Sequence, residues 1–184
     1  MKQIIQTKCF PAATMLVAFL SAPGLFAQIN PMTPPSDTEK LIRVGAQPAS
    51  VFDAVADQAL LAMKHRAEDL KIKGVAVVAY IEGDSVKSWV SKMAVVGSLK
   101  AGGSQKDPGA NLLAIAYSKA AEMADTLKDS GSGVRPPMKG EFGWQGGLIT
   151  KGKTGYVIAA FSGGPSESDV KVSRAGLELL ASKF

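Results

Sequence analysis

Cysteine and histidine are almost missing from this 184-residue chain, which holds one of each, Cys9 and His65. A lone thiol forms no intrachain disulfide, and it cannot build the thiolate clusters of zinc or iron–sulfur centres. Any nucleophile–base pair of the Cys–His or Ser–His type would have to recruit His65. Asp and Glu are scattered, without the close pairing of a carboxylate dyad or a metal cluster. Aromatic residues make up only 7% of the chain, and its basic residues are interspersed with its acids. Nucleic-acid binding asks for a basic stripe with interleaved aromatics, so it is not expected. No apolar run reaches the roughly 20 residues of a membrane-spanning helix, so no span is expected in the mature chain.

What is present begins with a leader. Lys2 and Lys8 make a positive n-region, AATMLVAFLSA (12–22) an apolar h-region, and LFAQ (25–28) places a small residue before a cut. This predicts a signal peptide over residues 1–27, with Leu25 an imperfect match to the small-x-small preference. Cys9 would leave with it, and the net charge would fall from +5 to +3 as Lys2 and Lys8 are removed. The product is expected in the periplasm or secreted from the cell. Residues 28–47, which include NPMTPPSDTEK (30–40), predict a proline-rich N-terminal arm. Residues 48–184 suit one domain with one core.

Within that domain Phe52, Val55, Ala59, Met63, Arg66 and Leu70 recur at helical spacing and predict a helix from Pro48 to Lys71, with Gly74 as its left-handed cap. Val75–Ile81 is a continuous β-branched run, Glu82–Ser85 a turn, and Val86–Met93 a second strand. Lys100–Asn111 reads as a loop. Asp107 and Pro108 then read as the cap and first residue of a helix to Lys128. A long Gly- and Pro-rich segment (129–147) precedes a hairpin of LIT, KGK and TGYVIAAFSGG, and a helix over Ser166–Lys183 ends the chain. The order α-β-β-α-β-β-α predicts an α/β (α+β) sandwich, an antiparallel sheet of two hairpins covered by helices.

YSKAAEMA (117–124), GGLITKGKTGYVIAAFSGGPSESD (146–169) and AGLELL (175–180) together resemble the GlcG/HbpS family of haem-binding-protein-like domains, which includes the PduO C-terminal domain. Lys119-Ala120 and Ala124 match the family's helix, Gly146-Gly147 its glycine pair, Gly155 and Ser162-Gly163 its strand and exit. Asp169 matches its acid, and Ala175-Gly176 its last helix. The resemblance covers roughly residues 51–184, and it lies in order and spacing more than in any one motif. Leu148-Ile149 stand where the family commonly has proline, YIEGD replaces its D-x-x-G, and SKM replaces a charged strand end. The resemblance implies a profilin-like sandwich that forms homo-oligomers and binds haem, a corrinoid or another small molecule without catalysis.

Several residues carry that expectation, each beside a plainer one. His65 is the obvious axial ligand for haem iron, yet at 100° per residue it lies nearly opposite the apolar stripe of its helix, as a solvent-facing histidine would. Met63, Met93, Met123 and Met138 could ligate by sulfur. Met63 and Met123 sit on core faces, whereas Met138, after Pro136-Pro137, has no periodic reason to be buried. Lys119 lies about 70° from the centre of its helix's stripe, where it either snorkels or pairs with a carboxylate or propionate. Tyr117 is a phenolate candidate or a surface aromatic. Gly146, Gly147, Gly163 and Gly164 flank one hairpin at its outer ends and mark either a tight turn or backbone bared for a ligand. Ser162 and the amides of Ser166–Ser168 offer donors to an anion, with Ser166 as an ordinary N-cap the alternative. Trp144 could stack on a planar ligand or cap the core. The expected function is therefore non-catalytic binding of a small molecule, with an oligomeric structural or signalling domain as the alternative. An enzyme acting on a small organic acid would need an activated water beside Lys119.

Overall fold

The computed structural model describes residues 48–184. The expected signal peptide and proline-rich arm, residues 1–27 and 28–47, lie outside the described residues. Nine elements follow: α1 (Pro48–Asp69), β1 (Gly74–Glu82), β2 (Trp89–Val96), β3 (Lys100–Ala101), β4 (Ala110–Asn111), α2 (Leu112–Thr126), β5 (Gly147–Lys151), β6 (Gly155–Ser162) and α3 (Ser166–Ala181).

β1 and β6 are buried in the middle of an antiparallel sheet of order β2-β1-β6-β5, each paired with its own hairpin partner and with the other from Val75↔Ser162 to Glu82↔Gly155. Because both faces of β1 are covered, its sequence is a continuous apolar run rather than an alternation. Val75, Val77, Ala79 and Ile81 pack with Ile158 and Ala160 under Ile115, Ala116, Ala120 and Met123 of α2. Ala76, Val78 and Tyr80 point the other way, with Val157, Ala159 and Phe161, toward Phe52, Ala56, Ala59 and Met63 of α1 and Val172 and Leu180 of α3. The result is a three-layer α+β sandwich with one helix on one face and two on the other. Fully burying a side chain such as Phe161 on one face or Met123 on the other stabilises by roughly 1.5–3 kcal/mol, so both faces contribute.

Several boundaries differ from the sequence expectation, and the expected Lys100–Asn111 loop contains the paired short strands β3 and β4. The C-terminal cap of α1 is Lys71, at φ 55°, with Ile72 N donating to Ala67 O at 3.0 Å; Gly74 instead opens β1. β2 runs from Trp89 to Val96, starting and ending three residues later than expected. Asp107 does not cap a helix: its Oδ1 accepts from Gly109 N at 2.8 Å inside the β3–β4 turn, and Asn111 Oδ1 caps α2 by accepting from Ala114 N at 3.1 Å. Pro165, not Ser166, occupies the N-cap of α3, with no side-chain cap bond.

Candidate functional site

One pole of the sandwich gathers the end of α1, the start of β1, the end of β6, the start of α3 and the first half of α2. Lys119, on α2, reaches past the strand ends to α3. Its Nζ donates to Asp169 Oδ2 and to Phe161 O, both at 2.8 Å, while Asp169 Oδ1 accepts from Gly164 N at 2.9 Å. The pair is 2% and 3% exposed. Burial pulls the Lys119 ammonium down and is opposed by the charge of Asp169; burial pushes the Asp169 carboxyl up and is opposed by Lys119 and by the Gly164 and Gly163 amides. The ion pair is a structural clamp between layers, and its net charge is zero.

The glycines are explained mostly by this clamp and by strand crossing. A Cβ on Gly146, whose φ is 130°, would overlap Lys119 Nζ and stand 2.8 Å from Asp169 Cβ. One on Gly147 would stand 2.5 Å from Met123 Cε, and one on Gly163 would overlap Lys73 O. Gly146 O accepts from Phe161 N at 3.0 Å and from Ser173 Oγ at 2.6 Å, so this backbone belongs to the protein's own network. Gly146 and Gly147 therefore support the site from behind and do not line it.

Two clefts meet over Gly163-Gly164. The smaller, about 200 Å³, is lined by Lys119, Asp169, Ser162, Ser166, Trp144 and Gln145 above an apolar floor that includes Ile115. The larger, about 540 Å³, is ringed by Lys71, Lys73, Lys100 and Ser98. Of the residues singled out from the sequence, the structure places Lys119, Trp144, Ser162, Gly163 and Gly164 around one cleft. Trp144, 51% exposed, stands at the mouth with its ring 4.8 Å from that of Phe142. The three lysines were missed: one caps a helix, one precedes a strand and one sits in a two-residue strand, so no periodicity marks them.

The two proposed metal ligands are elsewhere. His65 is exposed on α1, as its phase indicated, and Met138 is 50% exposed in the 127–146 loop. Neither lines a cleft of this groove, whose lining holds no His, Met, Cys or Tyr. Among the described residues no group of three or more His, Cys, Asp or Glu is placed to hold a metal ion. The donor set therefore does not fit an axially ligated haem. Tyr117 is engaged with β2, its hydroxyl 3.2 Å from Ser91 Oγ and its ring 6.4 Å from that of Trp89. Among the described residues no helix is long and apolar enough to cross a membrane. No family model and no curated protein matches the chain, so the GlcG/HbpS resemblance rests on the residues set out above.

Proposed function

We propose that this is an exported, non-catalytic small-molecule-binding protein whose ligand lies in the groove over Gly163-Gly164. One observation carries the reading: side chains from four separate segments converge on one concave surface with an exposed indole at its mouth. Sites of this kind combine an apolar floor with a few placed polar groups. The smaller cleft, at about 200 Å³, falls below the roughly 300–1,000 Å³ of drug-sized pockets and the larger, at about 540 Å³, falls within it, so the ligand proposed is a compact organic molecule. The test is tryptophan fluorescence of the Trp89→Phe variant, in which Trp144 is the only indole left. A saturable change on titration with small organic compounds is expected; no response to any compound would overturn the reading. Haemin titration at the Soret band, with His65→Ala and Met138→Ala in parallel, checks haem directly, and either variant losing a wild-type shift would reinstate it. Export is read from the n- and h-regions, and N-terminal sequencing of the secreted product should begin at Gln28.

The second reading, a homo-oligomer, is favoured by Val134, Met138, Phe142 and Trp144, four large apolar side chains exposed on one loop. Sedimentation of wild type against Phe142→Ser tests it. A lower mass for the variant is expected; an unchanged monomer in both would exclude it.

A further inference from the structure

Three features of the groove are not used by the fold. Ser162 is 4% exposed, and its hydroxyl makes no hydrogen bond within the described residues. No buried side-chain polar atom sealed from solvent lacks a partner there, so the open side of this hydroxyl is the cleft it lines. Lys71, Lys73 and Lys100 surround the adjoining cleft, while the ion pairs of the described residues engage Lys64, Lys92, Lys119, Arg135 and Lys151 instead. Glu68, beside Lys71 and Lys73, is turned to Lys64 at 3.9 Å. Lastly, Lys71 holds a left-handed conformation at a helix cap, where glycine is the stable choice and a lysine is strained. Leu127 takes the same conformation at the cap of α2, so the conformation belongs to the cap, and what Lys71 adds is a cation on the cleft rim.

The unpaired charged side chains lining the groove are cations, since its one lining carboxylate, Asp169, is paired with Lys119. Asp169 has its oxygens engaged by Lys119 and Gly164 N, and among the described residues no carboxylate pairs with Lys71, Lys73 or Lys100. We propose that the groove takes a polyvalent oxyanion on a compact organic frame, a dicarboxylate or a phosphate ester. One acid group meets Lys71, Lys73 and Lys100, and the body crosses Gly163-Gly164 to present an acceptor to the Ser162 hydroxyl. This rests on the small-molecule reading and names its ligand class.

The test follows backbone amide shifts of the full chain at fixed ionic strength, with phthalate, phenyl phosphate and neutral benzamide as probes. At least one anion should give saturable shifts at Ser162–Gly164, with benzamide at least tenfold weaker; the tighter anion identifies the acid group. Ser162→Ala should weaken that anion roughly tenfold, as expected for a hydrogen bond to a charged acceptor. Lys71→Gly should weaken it about threefold to fivefold, the scale of an exposed ion pair, while raising Tm. The paired rise in Tm separates lost binding from lost folding. Benzamide binding as tightly as the anions, or Lys71→Gly leaving affinity unchanged, overturns the oxyanion inference and leaves the small-molecule reading standing. Absence of groove shifts with all three probes overturns the oxyanion inference, and the small-molecule reading falls with it only when the wider Trp144 fluorescence titration is silent as well.

Discussion

Lys119 and Asp169 are fifty residues apart in sequence and 2.8 Å apart in space. Lys119 was legible as unusual because a cation borders an apolar stripe. Its partner could not be read from sequence spacing, since the pairing depends on where β6 ends and how α3 turns back. Removing one member of a buried pair leaves the other charge without compensation in a poorly solvating environment, which costs about 3–5 kcal/mol. Lys119→Met is therefore expected to lose stability on that scale in urea unfolding. Adding Asp169→Asn, which removes the orphaned charge while keeping an acceptor for Gly164 N, should recover roughly half of the loss. A double variant as unstable as the sum of the two singles would show that the residues do not act as a pair. The same clamp explains Gly146, which the sequence offered as a ligand contact: its missing side chain makes room for Lys119 Nζ.

At the scale of elements, the hairpins and helices were legible wherever hydrophobic period and turn chemistry agreed, and the start of α2 was not. Asp107-Pro108 carries a strong local start signal, but Leu112 N donates to Leu99 O at 3.0 Å and the intervening residues close into β3–β4. Tertiary pairing overrides the local signal, and Asn111 becomes the cap. Asn111→Ala should cost about 1 kcal/mol in thermal or urea unfolding, the ordinary value of a lost N-cap, whereas Asp107→Ala should cost clearly less. Equal losses would put the helix start back at Pro108. The 127–146 loop is ordered by a network with no periodic signature. Arg135 makes a bidentate pair with Glu141, at 2.7 and 2.9 Å, and donates from Nε to Asp125 Oδ2 at 2.9 Å, while Glu141 Oε2 accepts from Met138 N at 2.8 Å. The hydrogen bonds from Arg135, then that from Met138, lower the Glu141 pKa to about 2 from 4.5. A depressed folded-state pKa contributes stability that is fully present above the unfolded value and lost as pH falls through the folded one. The Glu141 contribution should therefore decline between about pH 4.5 and pH 2. Glu141→Gln should lower Tm at pH 7 by a few degrees and flatten the acid limb of Tm against pH over that window. An acid limb identical to wild type would show that Glu141 is not braced in solution.

Across the described residues the groove and Phe184 occupy opposite poles of the sandwich. Phe184 is buried, its ring stacked 4.5 Å from Tyr80 and tilted 6.5 Å from Phe52, and Phe184 O accepts from Lys153 N at 2.5 Å beside the β5–β6 turn. Ser162, at the other end of β6, lies seven residues from Gly155, which at about 3.3 Å per residue is roughly 23 Å. This arrangement came from topology: the last turn of α3 carries its apolar residues back to the pole where β6 begins, while its first turn builds the groove. Sites that far apart without shared partners behave additively. Phe184→Ala removes a buried aromatic from the α1–α3 face and should cost about 3–5 kcal/mol, the ordinary range for buried Phe. At temperatures where both proteins are folded, its response of Trp144 fluorescence to ligand should match wild type. A change in ligand affinity with Phe184→Ala would mean that the two poles are coupled through β6, and the rigid sheet would then transmit strain between them.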